Sequence, residues 1–501
     1  MNLILETIRQ GATVFSEPIL FVYMLGGMLF GMYAGALPGI SVSMAITLAV
    51  TFTSTWDAGP AIAVMIGIYV AGVYGGSRAA VLLNIPGTPA SIATTFDGYP
   101  LAQKGKAARA LSVTAVQSVI GGVISSFVLL LAAPLITKLA LMFSSWDYFL
   151  LSLMGILLLG RMSQGSFQKA VMGGCLGMLI GCIGMDGATA VNRFTFGNIF
   201  LKNGISSMTV MLGVFGISEA LMQLRESENA TIIKQEIGSI FPSFKDAFGH
   251  LRCTLESSVI GVVVGALPGT GGSIAALIAY DRAKKTTKNP ETTFGEGAIE
   301  GLIASEASNN AAVGGALIPM LTLGIPGDGV TAILLSALLL HGVSTGPNLM
   351  NNGSGMFGVI VIWCLIANIL LFPVALTGIR LFSKIVEVPK EILLPIVIML
   401  SVVGSYATSK NIGDVYFMCF LGIVGYFLKL HGFNVGTLAL GVILSSLIEL
   451  NFRRSWVLSK GQAAAFMGEI VGNPLSLILF AAILLMVFQP VKWLRGRNKK
   501  A

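Results

Sequence analysis

Apolar runs long enough to cross a bilayer recur along the whole chain, separated by short polar segments. Those of the first half lie near residues 18–37, 59–76, 111–136, 147–160, 170–185 and 205–222. Those of the second half lie near residues 257–279, 311–325, 329–345, 355–383, 391–408, 414–430, 434–450 and 474–494. Several are short or interrupted by Pro and Gly. The pattern predicts an all-α polytopic membrane protein with about 12 transmembrane helices plus broken or re-entrant helices.

Composition supports this class. Of 501 residues, 54% are hydrophobic and only 11% are charged, whereas an average soluble domain carries about 25% charged residues. The composition therefore excludes a soluble enzyme, a nucleic-acid-binding protein and a disordered chain. The five cysteines and three histidines are scattered, which argues against a disulfide framework and a zinc site.

One long polar stretch divides the chain. Residues 224–256 carry both signs of charge with apolar residues at helical spacing, as expected for an amphipathic linker at the membrane interface. We predict a first membrane repeat over residues 1–223 and a second over 257–450. Residues 451–501 then hold a C-terminal helix and a basic tail that we expect in the cytoplasm.

Two short motifs occur twice in the same order. Gly-Ala-Leu-Pro-Gly stands at Gly35–Gly39 and again at Gly265–Gly269. Further on, the Ile-Pro-Gly within Asn84–Pro89 recurs within Gly324–Gly329, at nearly the same spacing. We interpret the chain as a duplicated unit.

The positions of Lys and Arg indicate that the two copies have opposite orientations. Residues 53–57, after the first Gly-Ala-Leu-Pro-Gly helix, contain neither, whereas residues 281–288, after the second, contain four. The pattern reverses after the second motif, where residues 104–109 hold three and residues 341–355 hold none. Positive loops face the cytoplasm. We therefore predict two inverted-topology repeats, an architecture that recurs in secondary transporters.

The Pro-Gly pairs interrupt helices at membrane depth, where unpaired backbone groups are tolerated only inside protein or beside a water-filled cavity. The half-helices after Gly39 and Gly269 present free N–H groups and a positive dipole end, which favours a carboxylate. Unwound carbonyls favour Na⁺, and we expect them near Gly35, Gly265 and Ile325. A kink or a glycine packing face is the alternative for a single break. Four breaks at paired positions indicate one central polar site.

Polar residues beside the breaks complete the candidate site. Arg78 is a candidate for a bidentate contact with a substrate carboxylate, with a structural ion pair as the alternative. Asp328 is a candidate to bind a cation or carry a proton, with capping of the helix that begins at Gly329 as the alternative. The candidates for cation or proton coupling are Pro86, Pro326 and Asp328. The candidate substrate-binding residues are Gly39, Ser41, Ser43, Arg78, Asn84, Gly87, Thr88, Gly269, Thr270, Gly271, Ser273, Ser308, Asn309, Asn310 and Gly327.

These motifs resemble those of one known family. Gly35–Gly39 with its following serines is similar to the first family signature. The stretch from Tyr74–Arg78 through Asn84–Pro89 to Phe96–Leu101 is similar to the second. The second-copy segments fit as well: Gly265–Ser273, Ala304–Asn310 and Gly324–Gly329. Over nearly its whole length the chain resembles the large membrane subunit of the tripartite tricarboxylate transporters, the TctA type.

The resemblance implies a permease of the bacterial inner membrane with two partners. One is a small four-helix membrane subunit, and the other is a periplasmic solute-binding protein that delivers the carboxylate. It also implies symport of citrate or a related tri- or dicarboxylate with Na⁺ or H⁺, without ATP and without a cofactor beyond the coupling ion. Analogy with other inverted-repeat carboxylate transporters adds an elevator-like motion.

Two classes of function remain open. The first is a secondary carboxylate transporter, and the second is a channel or membrane-embedded enzyme that uses the same polar cavity. No His-Glu-x-x-His zinc-protease motif occurs in the sequence, which argues against a zinc hydrolase. Accumulation of unchanged substrate beyond its electrochemical equilibrium separates a transporter from both alternatives.

Overall fold

The chain is helical almost throughout. The computed structural model describes residues 2–37, 41–162, 166–186, 189–225, 243, 246, 248–268, 271–347, 349, 355–385 and 390–488. The first ten helices are α1 Asn2–Gly11, α2 Ile19–Ala36, α3 Val42–Thr53, α4 Ala58–Leu83, α5 Ile92–Leu101, α6 Ala107–Ala140, α7 Ser145–Met162, α8 Phe167–Gly181, α9 Ser207–Met211 and α10 Ser218–Arg225. The other helices of the described residues are α11 Leu251–Gly265, α12 Gly271–Thr286, α13 Ile299–Leu323, α14 Gly329–Leu340, α15 Met356–Ile385, α16 Lys390–Ser409, α17 Ile412–Leu430, α18 Val435–Leu458, α19 Ala463–Gly472 and α20 Pro474–Phe488.

A few short elements connect these helices. Strands β1 Gly184–Met185 and β2 Asn192–Arg193 pair antiparallel. Single 3₁₀ turns cover Ala12–Ser16, Pro89–Ser91 and Ile199–Leu201, and π-helical turns cover Ala102–Lys106 and Leu212–Ile217. Most of the predicted linker at 224–256 and the basic tail at 492–500 lie outside the described residues.

The helices confirm the all-helical membrane class. Six described helical segments are long and apolar enough to cross a membrane, and a seventh results if α19 and α20, bent by 103°, form one span. Five shorter apolar helices accompany them, among them α3, α8 and α14. The predicted number of about 12 spans is not confirmed by these lengths. The opposite orientation of the two copies likewise stays a prediction.

Two helix pairs at the centre pack in the same way. In the first, α2 lies so close to α4 that a Cβ added to Gly35 would be 2.0 Å from the carbonyl oxygen of Gly72. In the second, α11 lies against α13, and a Cβ added to Gly265 would be 2.6 Å from the carbonyl oxygen of Ala312. Small residues permit this backbone approach. The first repeated motif thus makes the same helix contact twice.

Other helices cross from one copy to the other. Helix α6 packs on α13, and α15 packs on α4. The shorter helices also pair across the copies, because α3 lies along α14 and α12 lies along α5. His341 Nε2 lies 2.8 Å from the carbonyl oxygen of Thr53, and the rings of Phe96 and Tyr280 are 5.2 Å apart. The two halves of the sequence are therefore interlocked.

The second repeated motif ends a helix in both copies. Helix α4 stops at Asn84 and α13 stops at Gly324, and both residues adopt left-handed backbone angles, with φ of 57° and 72°. Asn and Gly tolerate this conformation, and the following Pro cannot extend a helix. The predicted apolar run at 311–325 begins too late, since α13 starts at Ile299. The polar segment Ser305–Asn310 lies inside this buried helix. The side chains of Glu306 and Asn310 bond to other helices, and those of Ser305 and Ser308 bond within their own.

Arg109, at the start of α6, forms ion pairs with two polar segments, those of Asp246 and Glu291. Its Nη2 lies 2.6 Å from Asp246 Oδ1 and 2.8 Å from Glu291 Oε2. Hydrogen bonds from the guanidinium hold the pKa of both carboxyl groups below their usual range. The cluster links residue 246 and the loop before α13 to the first copy.

Arg109→Ala is expected to lower the stability at pH 7 by about 1 kcal/mol, since the pair with Asp246 is only partly exposed. A carboxyl group whose pKa is lowered by folding stabilises the folded protein at pH values above its unfolded-state pKa. This stabilisation is lost as the pH falls through the folded-state pKa. The difference from wild type should therefore shrink as the pH falls below about 4, the ordinary carboxyl value, and vanish below the lowered folded-state values. Thermal unfolding in detergent at pH 7 and pH 3 measures this. Arg252→Ala is the control, because the Arg252 side chain is 85% exposed. An equal loss for both variants would contradict the assignment.

Candidate functional site

The first turn of α12 lies where the two copies meet. A Cβ added to Gly271 would be 3.3 Å from Cβ of Asp328, which precedes α14. A Cβ added to Gly272 would be 3.3 Å from Cβ of Ala90, in the 3₁₀ turn of the first copy. The structure thus brings both second motifs to the start of the helix that follows the second Gly-Ala-Leu-Pro-Gly.

Equivalent side chains hold the two second motifs. The N–H of Asp328 donates to Thr331 Oγ1 at 2.8 Å, and the N–H of Thr88 donates to Ser91 Oγ at 3.3 Å. Asp328 Oδ1 also accepts from the N–H of Thr331 at 2.7 Å, which confirms the capping interpretation. Its Oδ2 accepts from the hydroxyl of Tyr69 at 2.9 Å, so this carboxylate also connects α14 to α4.

Asn309 is a buried amide over the first turn of α12. It is 1% exposed, and neither its Oδ1 nor its Nδ2 has a hydrogen-bond partner among the described residues. A Cβ added to Gly272 would be 2.7 Å from Asn309 Oδ1. A buried amide without partners is unfavourable by roughly 1–3 kcal/mol per group. The first N–H groups of a helix also lack intrahelical acceptors. Together these groups can bind a carboxylate.

The neighbours of Asn309 have internal partners. Asn310 Nδ2 donates to Ser118 Oγ on α6 at 2.7 Å. Ser308 Oγ donates to the carbonyl oxygen of Ala304 at 2.7 Å, within its own helix. Of the three adjacent candidates, only Asn309 has both polar side-chain atoms without a partner in the described chain.

Arg78 lies elsewhere. Its Nη2 donates to the carbonyl oxygen of Ala375 on α15 at 2.5 Å, and its guanidinium lies 5.2 Å from the ring centroid of Tyr74. This hydrogen bond does not reach the first turn of α12, and Nε and Nη1 of Arg78 are buried without a partner in the described chain.

Gly87 and Gly327 close the two breaks against the first motifs. A Cβ on Gly87 would lie 2.2 Å from the carbonyl oxygen of Gly35, and one on Gly327 would lie 2.8 Å from that of Gly265. The carbonyls that we expected near Na⁺ therefore line the breaks. Ile325 at 0% exposure and Pro326 are buried beside them in the second copy.

The other candidates occupy less central places. Asn84 and Pro86 are exposed, and Thr88 is buried beside Gly76. Ser41 caps α3 by accepting from the N–H of Met44 at 3.1 Å. Ser43 and Ser273 are half-buried in the first turns of α3 and α12. Gly39, Gly269 and Thr270 lie outside the described residues.

Two residues near this centre were not among the candidates. Glu306 is fully buried in α13, where it accepts hydrogen bonds from hydroxyl groups of α4, α5 and α6. Its signal in the sequence was an acidic residue in the short polar segment Ser305–Asn310, which lies within an otherwise largely apolar helix. Tyr69 gave no signal, because an aromatic residue in an apolar run is ordinary.

Asp97 links the copies from the start of α13. Its Oδ1 accepts from the N–H groups of Gly295, Gly297 and Ala298 at 2.8, 2.8 and 2.7 Å. Asp97 is 1% exposed, and it belongs to α5 of the first copy. It therefore holds the loop that leads into α13 of the second copy.

Asp97→Ala is expected to destabilise the protein by about 3 kcal/mol or more, because each buried N–H group left unsatisfied is unfavourable by roughly 1–3 kcal/mol. Asp97→Asn keeps an acceptor oxygen and should retain most of the stability. Thermal unfolding in detergent compares the two variants. An unfolding temperature equal to that of wild type for Asp97→Ala would contradict a stabilising role of the bonds between Asp97 and this loop.

Comparison with known proteins identifies the family. The chain is 34% identical over 429 residues to a protein of Agrobacterium vitis described as an uncharacterized 52.8 kDa protein in the TAR-I ttuC' 3' region, covering 86% of this chain and 84% of that protein. It is 36% identical over 227 residues to an uncharacterized protein in the TAR-II ttuC' 3' region of the same organism, covering 45% of this chain and 92% of that protein. No solved structure matches the chain. Residues 21–440 match the family model of the tripartite tricarboxylate transporters of the TctA type. The chain belongs to the tripartite tricarboxylate transporter TctA family.

Proposed function

We propose that the chain is the large permease subunit of a binding-protein-dependent secondary transporter that imports citrate or a related tri- or dicarboxylate. The family supports the transporter class. The observation that carries the proposal is the amide of Asn309, which has no partner in the described chain and lies over the first turn of α12. An anion at this point would accept from the amide N–H and from the helix N-terminus.

The proposed transport cycle uses two repeats of opposite orientation and an elevator-like motion. The equal contacts of Gly35 and Gly265 with α4 and α13 support a duplicated unit. The reversed distribution of Lys and Arg supports the inversion. The pairing of α3 with α14 and of α12 with α5 gives each short-helix pair one member from each copy. These pairs are the elements that we expect to carry substrate between the two membrane faces.

The coupling ion is Na⁺ or H⁺. For Na⁺, the proposed ligands are the carbonyls near Gly35, Gly265 and Ile325 together with the carboxylate of Asp328. Pro86 and Pro326 keep nearby carbonyls available, because a proline has no N–H to extend the helix. Asp328 Oδ2 accepts one hydrogen bond, from Tyr69, and retains a second lone pair, so it can still accept a cation.

The proposed partners are a small four-helix membrane subunit and a periplasmic solute-binding protein, in a bacterial inner membrane. The tripartite family implies partner subunits, and the apolar helices support a multi-pass membrane protein. No nucleic acid takes part.

Uptake of labelled citrate into proteoliposomes that hold all three subunits tests the proposal. We expect accumulation above the outside concentration under an imposed Na⁺ or pH gradient. A channel would stop at electrochemical equilibrium, and an enzyme would change the citrate chemically. Either result would contradict the proposal, and so would failure of both citrate and a panel of other di- and tricarboxylates to accumulate.

A further inference from the structure

We propose that Glu306 is the residue that takes up and releases the coupling proton. This inference rests on the proposed transport function and decides between its two coupling ions. Glu306 is 0% exposed in the first third of α13, between helices of the first copy. An acidic side chain at membrane depth is unfavourable and is usually retained for a function.

Three hydroxyl groups surround the Glu306 carboxyl. Ser77 on α4 and Ser118 on α6 donate to Oε2 at 2.8 and 3.0 Å, and Thr94 on α5 donates to Oε1 at 2.5 Å. Within the described chain, no Lys, Arg or His forms an ion pair with this carboxyl. Its charge is therefore balanced only by neutral hydrogen-bond donors.

These three hydroxyl groups can hydrogen-bond to the Glu306 carboxyl group in both of its protonation states. Each hydroxyl donates one hydrogen and accepts through two lone pairs, so rotation of its hydrogen changes its role while the heavy atoms stay in place. Toward a carboxylate all three hydroxyls donate, and toward a carboxylic acid one of them accepts. The oxygens already lie at hydrogen-bond distance from one another, which favours a proton over a metal ion, because the proton needs no added space.

Among the described residues, the charged groups on the surrounding helices form no ion pair with Glu306. On α4, Nη2 of Arg78 donates to the carbonyl oxygen of Ala375, and its Nε and Nη1 have no partner in the described chain. On α5, Asp97 accepts from the loop before α13. On α6, Arg109 pairs with Asp246.

The titratable groups on α11, α12 and α14 likewise make their contacts with residues other than Glu306. On α11, His250 lies 3.7 Å from Glu300 at the start of α13. On α12, the ring of Tyr280 packs against Phe96 and Phe294. On α14, Asp328 caps its own helix.

The position of Glu306 couples it to the proposed carboxylate site. Asn309 follows three residues later, and residues three apart on a helix are neighbours. A substrate anion at Asn309 would repel the Glu306 carboxylate and therefore favour its protonated form. By linkage, protonation favours anion binding to the same extent. On the outer side the carboxylate binds a proton from water as the O–H bond forms. On the inner side that bond breaks and the proton returns to water.

Glu306→Gln in the three-subunit complex tests the proposal, since the amide imitates the protonated acid and can bond to the same hydroxyls. Two assays are compared in proteoliposomes. Counterflow exchanges internal unlabelled for external labelled citrate and needs no net proton movement. Accumulation is driven by a pH gradient, with internal pyranine reporting proton entry. We expect Glu306→Gln to keep counterflow and to lose both accumulation and citrate-dependent proton entry. Glu306→Asp should recover part of both.

Glu300→Gln is the matched control, because Glu300 is a second buried glutamate of α13, at 4% exposure, and lies beside His250. It should accumulate citrate as wild type does. Wild-type accumulation by Glu306→Gln would overturn the assignment, and so would wild-type uptake that follows only a Na⁺ gradient without proton entry. Absence of counterflow of any tested carboxylate in the wild-type complex would instead overturn the proposed function, and this inference with it. Loss of counterflow in a folded Glu306→Gln variant would assign Glu306 to substrate binding and would also overturn the inference.

Discussion

Asn309→Ala is expected to weaken carboxylate binding by roughly 10- to 150-fold, the effect of losing a hydrogen bond to a charged group worth about 1.5–3 kcal/mol. The same substitution removes two buried polar atoms that have no partner within the described chain. The stability of the protein should therefore be unchanged or slightly increased, as is common where a polar group is kept for binding. The measurements are citrate binding to the purified complex and thermal unfolding of the same sample.

Asn451→Ala is the matched control for this prediction. Asn451 is buried at 5% exposure in α18, and its Nδ2 donates to the carbonyl oxygen of Leu447 at 2.8 Å. It should lose some stability and keep citrate affinity, the reverse of Asn309→Ala. Asn309→Asp adds a negative charge where the anion binds, so it should eliminate binding. Wild-type affinity in both Asn309 variants would exclude this residue from the site.

Gly327→Ala is expected to destabilise the second break and to reduce uptake severely. The added Cβ would lie 2.6 Å from Cα of Ala316 and 2.8 Å from the carbonyl oxygen of Gly265, both of them backbone atoms that cannot rotate away. Overpacking of this kind is unfavourable by about 1–3 kcal/mol. Any backbone shift that relieves these contacts would also move Asp328 and the first turn of α12. Uptake and thermal unfolding measure the two consequences.

The same motif supplies the control. A Cβ added to Gly329 would meet no atom within 4 Å, so Gly329→Ala should behave as wild type. Gly87→Ala in the first copy should reproduce the defect of Gly327→Ala, because its Cβ would lie 2.2 Å from the carbonyl oxygen of Gly35. Normal uptake by both Gly87→Ala and Gly327→Ala would show that close packing at the breaks is dispensable.

Local patterns predicted part of this arrangement. The repeated Gly-Ala-Leu-Pro-Gly sequence predicted a duplicated unit. The glycines of this sequence also let α2 and α11 pack closely against α4 and α13. The amide of Asn309 stood out because polar side chains are rare in apolar runs. For Asp328, capping and ion binding were both open, and the contact with Thr331 shows the cap.

Contacts between distant parts of the chain could not be predicted in this way. Arg78 bonds to the carbonyl oxygen of Ala375, far away in sequence, so a single charge in an apolar run gave no direction for its side chain. The hydroxyls around Glu306 come from three helices, and each of them is an ordinary serine or threonine on its own. The polar segment Ser305–Asn310 was expected before a helix because its residues are polar. The segment can lie within a helix because Glu306 and Asn310 bond to other helices and Ser305 and Ser308 bond to carbonyl oxygens of α13.

A structure of the three-subunit complex with bound citrate would locate the anion relative to Asn309. We expect a carboxylate group within hydrogen-bond distance of the Asn309 amide and of the N–H groups in the first turn of α12, between the two copies. Citrate bound at Arg78 or elsewhere, with Asn309 still without a contact, would contradict it.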